Sequence, residues 1–185
     1  MKKGKLVVIS GPSGVGKDTI VDNYIKKNKN YYKSISMTTR YKRENEIDKK
    51  DYFFVNINTF KENIKNNNFI EYQEVYKNTY YGTPKDIVLE KLNKGINVIL
   101  IIDVNGGINI KKLIPEAILI FIMPPNTKEL KKRLLLRNTD SPTKIKERIK
   151  KAKYEIKKSK HYDYIVINNN IEEATTNLEK ILINK

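Results

Sequence analysis

The sequence predicts an α/β fold in which helices flank a parallel β-sheet. Three short apolar runs support this prediction, because each is typical of a strand buried on both faces: Lys5–Ser10, Ile96–Ile102 and Ala117–Met123. Helical spacing lies between them, and strand, helix, strand order is that of a doubly wound parallel sheet. Tyr164–Ile167 is predicted as the last strand and Ile171–Ile183 as a closing helix.

A different pattern lies between the first helix and Pro84. Tyr- and Phe-rich segments occur at Tyr52–Val55 and Phe69–Val75, with a brief helix near Thr59–Lys65. Such segments predict a small β-rich insertion in the core. Pro84 follows a Gly-Thr pair and suits the first turn of a helix, so we expect the chain to return to the core there.

Two basic amphipathic helices are predicted after the third core strand, at Lys128–Arg137 and Thr143–Ser159, with a polar turn between them. Two cationic helices joined by a turn suit a lid over a bound anion. The expected organisation is a core of residues 1–33, 84–125 and 160–185, an insertion of residues 34–83 and a lid of residues 126–159.

Composition and charge narrow the classes of function. The chain has 185 residues, no cysteine and a formal net charge of +16. The lack of cysteine excludes disulfides and thiolate metal sites. No apolar run is long enough to span a bilayer or to form a signal-peptide core, so we expect a cytoplasmic protein without membrane contact. The charge suits either RNA or phosphate-rich nucleotides, but the lysines are scattered along the chain, which favours a solvated basic surface without nucleic-acid binding.

A glycine-rich turn follows the first strand and opens the first helix, which is the context that a Walker A phosphate loop requires. Its glycines let backbone amides turn toward phosphate oxygens, the helix N-terminus adds partial positive charge, and Lys17 can reach the β- and γ-phosphates. Asp18 stands where Ser or Thr normally places a hydroxyl on Mg²⁺. Mg²⁺ is expected to meet Asp18, through water, or Thr19; the alternative is that Asp18 points away, and in either case Thr19 can supply a hydroxyl to the phosphates. The sequence therefore predicts a P-loop NTPase-type core that binds a nucleotide with Mg²⁺. The predicted phosphate-binding residues are Gly11, Ser13, Gly14, Val15, Gly16, Lys17, Asp18 and Thr19.

Four motifs beyond this loop occur in the order found in the guanylate kinases, and the chain resembles that family almost from end to end. The family patterns S-x-S-x-T-T-R-x-P-R, G-x-D-Y-x-F-V, F-I-E and Y-Y-G-T correspond to Ser34–Arg43, Lys49–Val55, Phe69–Glu71 and Tyr80–Thr83. The resemblance implies transfer of the terminal phosphoryl group of ATP to GMP or dGMP, with Mg²⁺ as cofactor. The oligomeric state, a monomer or a homodimer, is left open.

The resemblance also implies the acceptor site, and the chemistry of the residues agrees with it. Planar guanidinium groups suit a phosphate dianion. Glu71 can accept hydrogen bonds from N1–H and the exocyclic amine of guanine, whereas adenine presents an acceptor at N1. The implied ligands of the GMP phosphate are Arg40, Arg43, Tyr52 and Tyr81, and those of the rest of the nucleotide are Ser36, Glu71, Thr83 and Asp103.

The lid is expected to supply charges that stabilise the transferring phosphoryl group. The family run L-K-K-R-L-x-x-R is present as Leu130–Arg137, and Arg148 has the matching place in the next helix. The resemblance therefore implies Lys17, Arg133, Arg137 and Arg148 as catalytic residues and places Asn168 beside the adenine of ATP.

Several positions depart from the family pattern. Tyr41–Lys42 replaces x-Pro between the two arginines, and Asn45 and Lys49 replace glycines. The family commonly has the first carboxylate of D-x-D where this chain has Ile101, so only Asp103 is left to hold GMP or to meet Mg²⁺ through water. Two other classes of function stay open: a kinase for another nucleoside monophosphate, and a non-catalytic interaction module.

Overall fold

Strands and helices alternate along most of the chain. The structure is a computed structural model, and it describes residues 3–136 and 142–183. The strands are β1 (Leu6–Ser10), β2 (Tyr31–Lys33), β3 (Met37–Thr38), β4 (Phe53–Phe54), β5 (Phe69–Tyr76), β6 (Thr79–Pro84), β7 (Asn97–Ile101), β8 (Ile118–Met123) and β9 (Tyr164–Ile167). The helices are α1 (Lys17–Lys27), α2 (Ile57–Lys65), α3 (Lys85–Asn93), α4 (Val104–Leu113), α5 (Thr127–Leu136), α6 (Pro142–Lys158) and α7 (Ile171–Ile183), with a 3₁₀ turn at Ser159–His161.

Five parallel strands form the central sheet, in the order β2, β7, β1, β8, β9. Strand β1 lies in the middle, where Val7 pairs with Ile99 of β7 on one side and Ile118 of β8 on the other. Because all five strands run the same way, their carboxyl ends share one edge of the sheet. This is the edge at which open α/β sheets bind their ligands.

Helices cover both faces of this sheet, and β1 is buried along its whole length. Val7 and Ile9 pack in one apolar cluster with α1 and α7, whereas Leu6 and Val8 pack in a second cluster with α3 and α4. Side chains alternate between the faces of a strand. A strand covered on both faces therefore reads as a continuous apolar run, which is why the sequence predicts these strands well.

The insertion forms a second, smaller sheet with strands in the order β4, β3, β6, β5. Strands β5 and β6 make an antiparallel hairpin, whose turn holds Asn78 at a φ of 59°. Asn is one of the few residues other than glycine that adopt this left-handed conformation readily. Phe60 of α2 stacks on Phe69 of β5 with ring centres 4.6 Å apart. The insertion thus has an apolar centre of its own, and β5 lies against α4 of the core.

The predicted α/β class with a parallel sheet is confirmed. Strand β2 is absent from the sequence prediction, because three residues that include a lysine give no apolar run; it forms by pairing with β7 at the edge of the sheet. Pro84 ends β6 rather than lying inside the helix, because the amide of Lys85 donates to the Asn68 carbonyl at 2.8 Å and prolongs the hairpin pairing. Within the described ranges, no helix is long and apolar enough to cross a membrane. The unit boundaries, the cytoplasmic location and the oligomeric state stay predictions.

Candidate active site

The phosphate loop joins β1 to α1 at the carboxyl edge of the central sheet. Gly11 has a φ of 148°, and a Cβ there would lie 2.3 Å from the Ile122 carbonyl oxygen, so only glycine fits against β8. Gly16, with a φ of 93°, precedes α1 and has no side chain to cap the helix. The helix N-terminus therefore needs hydrogen-bond acceptors from elsewhere, and a phosphate can supply them.

Two cations from different elements converge on this loop. Lys17 folds back over it, and its Nζ donates to the carbonyls of Gly11 at 2.6 Å and Pro12 at 3.0 Å. Arg148 of α6 reaches the loop as well, since its Nη1 donates to Ser13 Oγ at 2.7 Å. The arrangement places an ammonium and a guanidinium beside the glycine-rich loop that is predicted to hold phosphates.

Asp18, the residue that departs from the Walker pattern, points to β2. Its Oδ1 lies 3.1 Å from Lys33 Nζ, and 67% of its side chain is exposed. Asp22, one turn later, lies 3.0 Å from the same ammonium. The pairing reduces the repulsion that an isolated carboxylate would exert on phosphate. Thr19 is also exposed, and contact of Asp18 or Thr19 with Mg²⁺ stays a prediction.

Arg40, Tyr52 and Tyr81 come together on the inserted sheet. Arg40 Nε donates to the Tyr81 hydroxyl at 3.1 Å, and the guanidinium carbon lies 5.3 Å from the centre of the Tyr52 ring. The two tyrosine rings meet edge to face with centres 5.9 Å apart. Burial raises the pKa of the Tyr52 phenol, so at neutral pH this group is an uncharged hydrogen-bond donor. The cluster offers a held guanidinium and phenol donors to an anion.

Glu46 belongs to this cluster, although the sequence analysis misses it. Its carboxylate accepts from both terminal nitrogens of Arg40, at 2.8 and 2.9 Å, and from the Arg43 amide at 2.8 Å. Burial favours the neutral acid, but the hydrogen bonds from Arg40 and Arg43 hold the pKa of Glu46 below its ordinary value. The signal in the sequence is an acidic residue three positions after Arg43 in a turn-prone stretch, within reach of both arginines.

Glu71 lies on β5, where the inserted sheet packs against α4 of the core, and only 8% of it is exposed. Thr83 Oγ1 donates to Glu71 Oε1 at 2.8 Å, and the register of β3 against β6 places Ser36 beside Thr83. Three predicted guanine ligands therefore lie together. Burial raises the pKa of Glu71 to about 7; the Thr83 hydrogen bond opposes this shift and the Asp103 carboxylate adds to it.

This raised pKa predicts a pH-dependent cost to stability. Between pH 4.5 and 7 the folded protein keeps the Glu71 proton that the unfolded chain has released, so the free energy of unfolding falls as pH rises, and the full cost is present above pH 7. Glu71→Gln removes it. We expect the stability advantage of this variant over the wild type to grow by about 2 kcal/mol between pH 5 and pH 8. Urea unfolding at both pH values measures the difference in the free energy of unfolding between the variant and the wild type. Glu62→Gln, at an exposed position, is the control. A difference that is equal at pH 5 and pH 8 would contradict the burial cost.

The start of α4, from Asp103 to Gly106, is the part of the core that lies beside Glu71. Asp103 follows β7 and caps α4, since its Oδ1 accepts from the Asn105 amide at 2.9 Å. Gly106, in the first turn of α4, packs so closely on Glu71 that a Cβ there would lie 2.5 Å from Oε2. A glycine at this position therefore determines where the Glu71 carboxylate can sit.

For GMP, the acceptor that the sequence resemblance implies, Gly106→Ala is expected to raise KM by tenfold or more, roughly 1.4 kcal/mol, because the added methyl group displaces the Glu71 carboxylate. The helix itself should tolerate alanine, which is the better helix former by about 1 kcal/mol. Steady-state kinetics with GMP measures the change. Asn109→Ala, an exposed position of the same helix, is the control, and an unchanged KM in the Gly106 variant would show that the contact does not position Glu71.

Asn168 follows β9 and lies beside the phosphate loop, and Arg133 of α5 contacts it there. Arg133 Nε donates to Glu129 at 3.0 Å, and its Nη2 donates to the Asn168 carbonyl at 3.2 Å. Asn168 is 1% exposed, and its Nδ2 donates to the Val15 carbonyl at 2.7 Å, so its side chain supports the loop. Contacts of Asn168 with adenine and of Arg133 with phosphate stay predictions. Arg137 lies outside the described residues.

Lys151 and Glu155 of α6 are further charged residues that the sequence analysis misses. Lys151 Nζ lies 3.2 Å from Asp103 Oδ2 and 3.9 Å from Glu155 Oε1. Glu155 is 6% exposed, and burial raises its pKa to about 7 although the nearby Lys17 and Lys151 oppose the shift. In a sequence, charged residues at helical spacing indicate a solvent-exposed helix face. Only the tertiary structure therefore shows that Lys151 and Glu155 lie close to Asp103.

Known proteins resemble this chain in sequence and in fold. A family model described as guanylate kinase matches residues 3–185. Over 182 residues the chain is 44% identical to a guanylate kinase of Clostridium acetobutylicum, covering 98% of this chain and 86% of the relative. It is 46% identical over 182 residues to one of Carboxydothermus hydrogenoformans, covering 98% and 89%. The crystal structure of guanylate kinase from Anaplasma phagocytophilum has a TM-score of 0.83 at 32% identity, covering 98% of this chain and 86% of that chain.

The sequence matches extend over nearly the whole chain, and they include the phosphate loop, the inserted sheet and helices α5 and α6 together. They confirm the enzyme class predicted from the motifs, a nucleotide-binding phosphotransferase of the nucleoside monophosphate kinase type. The chain belongs to the guanylate kinase family.

Proposed function

We propose that this protein transfers the γ-phosphoryl group of ATP to GMP or dGMP and releases ADP with GDP or dGDP. The observation that carries the proposal is the presence of two clusters of side chains that suit anions, one at the phosphate loop and one around Arg40. The phosphate loop lies at the edge of the core sheet and the Arg40 cluster lies on the inserted sheet. Asp18 of α1 is near enough to Tyr52 to add to the rise in its phenol pKa that burial causes. We infer that a donor phosphate at the loop and an acceptor phosphate at the Arg40 cluster meet between the two sheets.

The proposed step is an in-line displacement. An oxygen of the GMP phosphate forms a bond to the γ-phosphorus while the bond from that phosphorus to the bridging oxygen of ATP breaks, and ADP leaves with the electron pair. The attacking phosphate is already anionic at neutral pH, so no base is needed. The task of the protein is to hold two anions together against their repulsion. Lys17 and Arg148 are proposed to act at the donor, and Arg40 and Arg43 at the acceptor.

Selection of the base is proposed to rest on Glu71. In its charged form the carboxylate accepts from N1–H and the exocyclic amine of guanine, and Thr83 and Ser36 complete the contact. Adenine would bring an acceptor against a buried carboxylate and leave that group unpaired. A site of this kind can discriminate by about 10⁴.

The divalent metal that such a kinase needs with ATP is proposed to be Mg²⁺. Among the residues that the structure describes, no group of three or more His, Cys, Asp or Glu side chains could hold a metal ion. This fits Mg²⁺ bound mainly by substrate phosphates and water, with one or two protein ligands. Asp103, through water, and the side chains of Asp18 or Thr19 are the proposed protein contacts. When bound, Mg²⁺ would neutralise charge on the β- and γ-phosphates.

An assay that couples ADP release to a chromogenic reaction tests the proposal with GMP, dGMP, AMP, UMP and dTMP, each with and without Mg²⁺. We expect turnover with the two guanine nucleotides, dependent on Mg²⁺. Activity with another base in the absence of activity with GMP would overturn the base assignment. Binding without turnover on any nucleotide would favour a non-catalytic interaction module.

A further inference from the structure

The loop between β3 and β4, residues 39–52, carries both arginines of the proposed acceptor site and contains no proline or glycine. Lys49 within it holds a φ of 64°, the left-handed conformation that glycine adopts most readily. The residue types of this loop therefore leave its backbone flexible, and side chains have to fix it. One such contact joins Asp51 to the Ile47 amide, which donates to Oδ2 at 2.7 Å.

Glu46 is the side chain that joins this loop to both arginines. Its amide donates to the Arg43 carbonyl at 3.1 Å and its Oε2 accepts from the Arg43 amide at 2.8 Å, so hydrogen bonds close this turn in both directions. The same carboxylate accepts from Nη1 and Nη2 of Arg40 at 2.9 and 2.8 Å. The Glu46 and Arg40 side chains are only 15% and 17% exposed, and a paired charge is held more firmly there than in water. Arg40 cannot turn without breaking two charge-assisted hydrogen bonds.

The contacts of Arg40 use most of its hydrogen-bond donors. Nε donates to the Tyr81 hydroxyl, Nη1 donates to the Tyr41 carbonyl as well as to Glu46, and Nη2 donates to Glu46. These bonds take four of the five N–H groups of the guanidinium. Counted over the part of the chain that the structure describes, one N–H on Nη2 is left for a ligand. Arg40 is thus a fixed positive charge that can donate in one further direction.

Arg43 differs from Arg40 in how its guanidinium is held. Its side chain is 49% exposed, and its Nη1 lies 3.6 Å from Glu46 Oε1, beyond hydrogen-bond distance. Glu46 therefore fixes the backbone of Arg43, while the half-exposed end of the side chain can turn to a ligand. A planar guanidinium can bind two phosphate oxygens at once. The two arginines thus have separate tasks, with Arg43 offering the fork and Arg40 one fixed donor.

The charge of Glu46 has two opposing effects on a phosphate dianion. It repels the anion, but without it Arg40 would be a poorly hydrated cation beside the rings of Tyr52 and Phe54, whose centres lie 5.3 and 5.6 Å from its guanidinium carbon. An unpaired buried charge is costly, and a long side chain avoids the cost by turning toward water. The site would then lose its fixed donor. Two arginines against one carboxylate still attract a dianion, so we expect the loss of position to outweigh the relief of repulsion.

We propose that Glu46 is a positioning residue for the phosphate of the acceptor nucleotide: it fixes Arg40 and the backbone of Arg43 so that both guanidinium groups meet the same nucleoside monophosphate dianion. The inference rests on the function proposed above and adds a residue to that site. Glu46 acts through the two arginines and does not touch the ligand itself. Its loss should therefore weaken the binding of the phosphate and leave the binding of the base unchanged.

Titration of the full chain with GMP and with guanosine, followed by the chemical shifts of backbone amides in NMR spectra, tests this separation. Guanosine has the base and the ribose without the phosphate. We expect Glu46→Gln to weaken GMP binding about tenfold, because Arg40 loses its counter-charge, and to leave guanosine binding unchanged. Glu46→Asp keeps the charge on a shorter side chain and should recover part of the affinity for GMP. Glu44→Gln removes an exposed charge from the same loop and should behave as the wild type.

Unchanged or tighter GMP binding by Glu46→Gln would overturn the inference, and so would equal losses of GMP and guanosine binding, which a general loosening of the site would explain. In these cases turnover of GMP by the wild type would leave the proposed function standing. A wild type that neither binds nor phosphorylates GMP would refute that function and the inference with it. Thermal unfolding of each variant verifies a folded sample. If Glu46→Gln does not fold, Glu46→Asp takes its place, with a smaller loss of GMP binding and unchanged guanosine binding as the expected result.

Discussion

Lys17→Met will lower kcat/KM for phosphoryl transfer to GMP at least about a thousandfold, roughly 4 kcal/mol of transition-state stabilisation. The reason is the position of the ammonium, which hydrogen-bonds to the Gly11 and Pro12 carbonyls and so lies directly over the loop proposed to hold the transferring phosphate. Methionine has a similar length but carries no charge. Loss of that charge leaves the approach of two anions poorly compensated, an effect that grows in a site from which water is excluded.

Steady-state kinetics of the purified variant measures this loss, and circular dichroism verifies that the fold is retained. Lys26→Met, an exposed position in the last turn of the same helix, removes one charge without touching the loop and should keep wild-type activity. Near-normal turnover by the Lys17 variant would refute the proposed role of the phosphate loop in catalysis. A large loss in both variants would point to the overall charge of the protein instead.

Glu71→Gln is expected to lower kcat/KM for GMP by about a thousandfold or more, because the glutamine amide presents a donor to the N1–H and amine donors of guanine. The loss should be accompanied by a loss of discrimination. IMP has the N1–H of guanine but lacks the exocyclic amine, so the wild type should prefer GMP strongly whereas the variant should treat the two alike. The GMP to IMP ratio of kcat/KM therefore reports on the Glu71 contact itself.

The same substitution is expected to change GMP selectivity and the free energy of unfolding in opposite directions. The variant that loses GMP selectivity is the one expected to resist urea better at pH 8, since a buried carboxylate is costly when no guanine is bound. Glu62→Gln, on an exposed face of α2, should change neither property. A Glu71 variant that still prefers GMP over IMP would show that another group reads the base.

Local patterns predict the parts of this molecule that are encoded by contiguous residues. The buried strands read as apolar runs, and the phosphate loop reads from Gly11 to Lys17, because glycines and a lysine are needed there at fixed spacing. The motifs around Arg40 and Glu71 likewise lie within short segments. The residue types that a strand, a tight loop or a helix N-terminus requires lie next to one another in the chain. These elements can therefore be predicted from short stretches of sequence.

Contacts between distant segments do not show in this way. Glu46 is near Arg40 in sequence, but its bidentate pairing depends on the fold of the loop that joins them. Gly106 and Glu71 are far apart in the chain and meet only because β5 lies against α4. From the sequence, Lys151 is expected to be one more surface charge of a basic helix. Only the packing of α6 on the core places it beside Asp103. Tertiary packing supplies the information in each case.

A crystal structure of the protein with a bisubstrate analogue, in which adenosine and guanosine are joined through a chain of phosphates, tests the central claim most directly. The account predicts the donor phosphates on the amides of the phosphate loop with Lys17 at their oxygens, the acceptor phosphate at Arg40 and Arg43, and the N1–H edge of guanine on the Glu71 carboxylate. Arginine side chains turned into solvent, with the guanine ring away from Glu71, would contradict it.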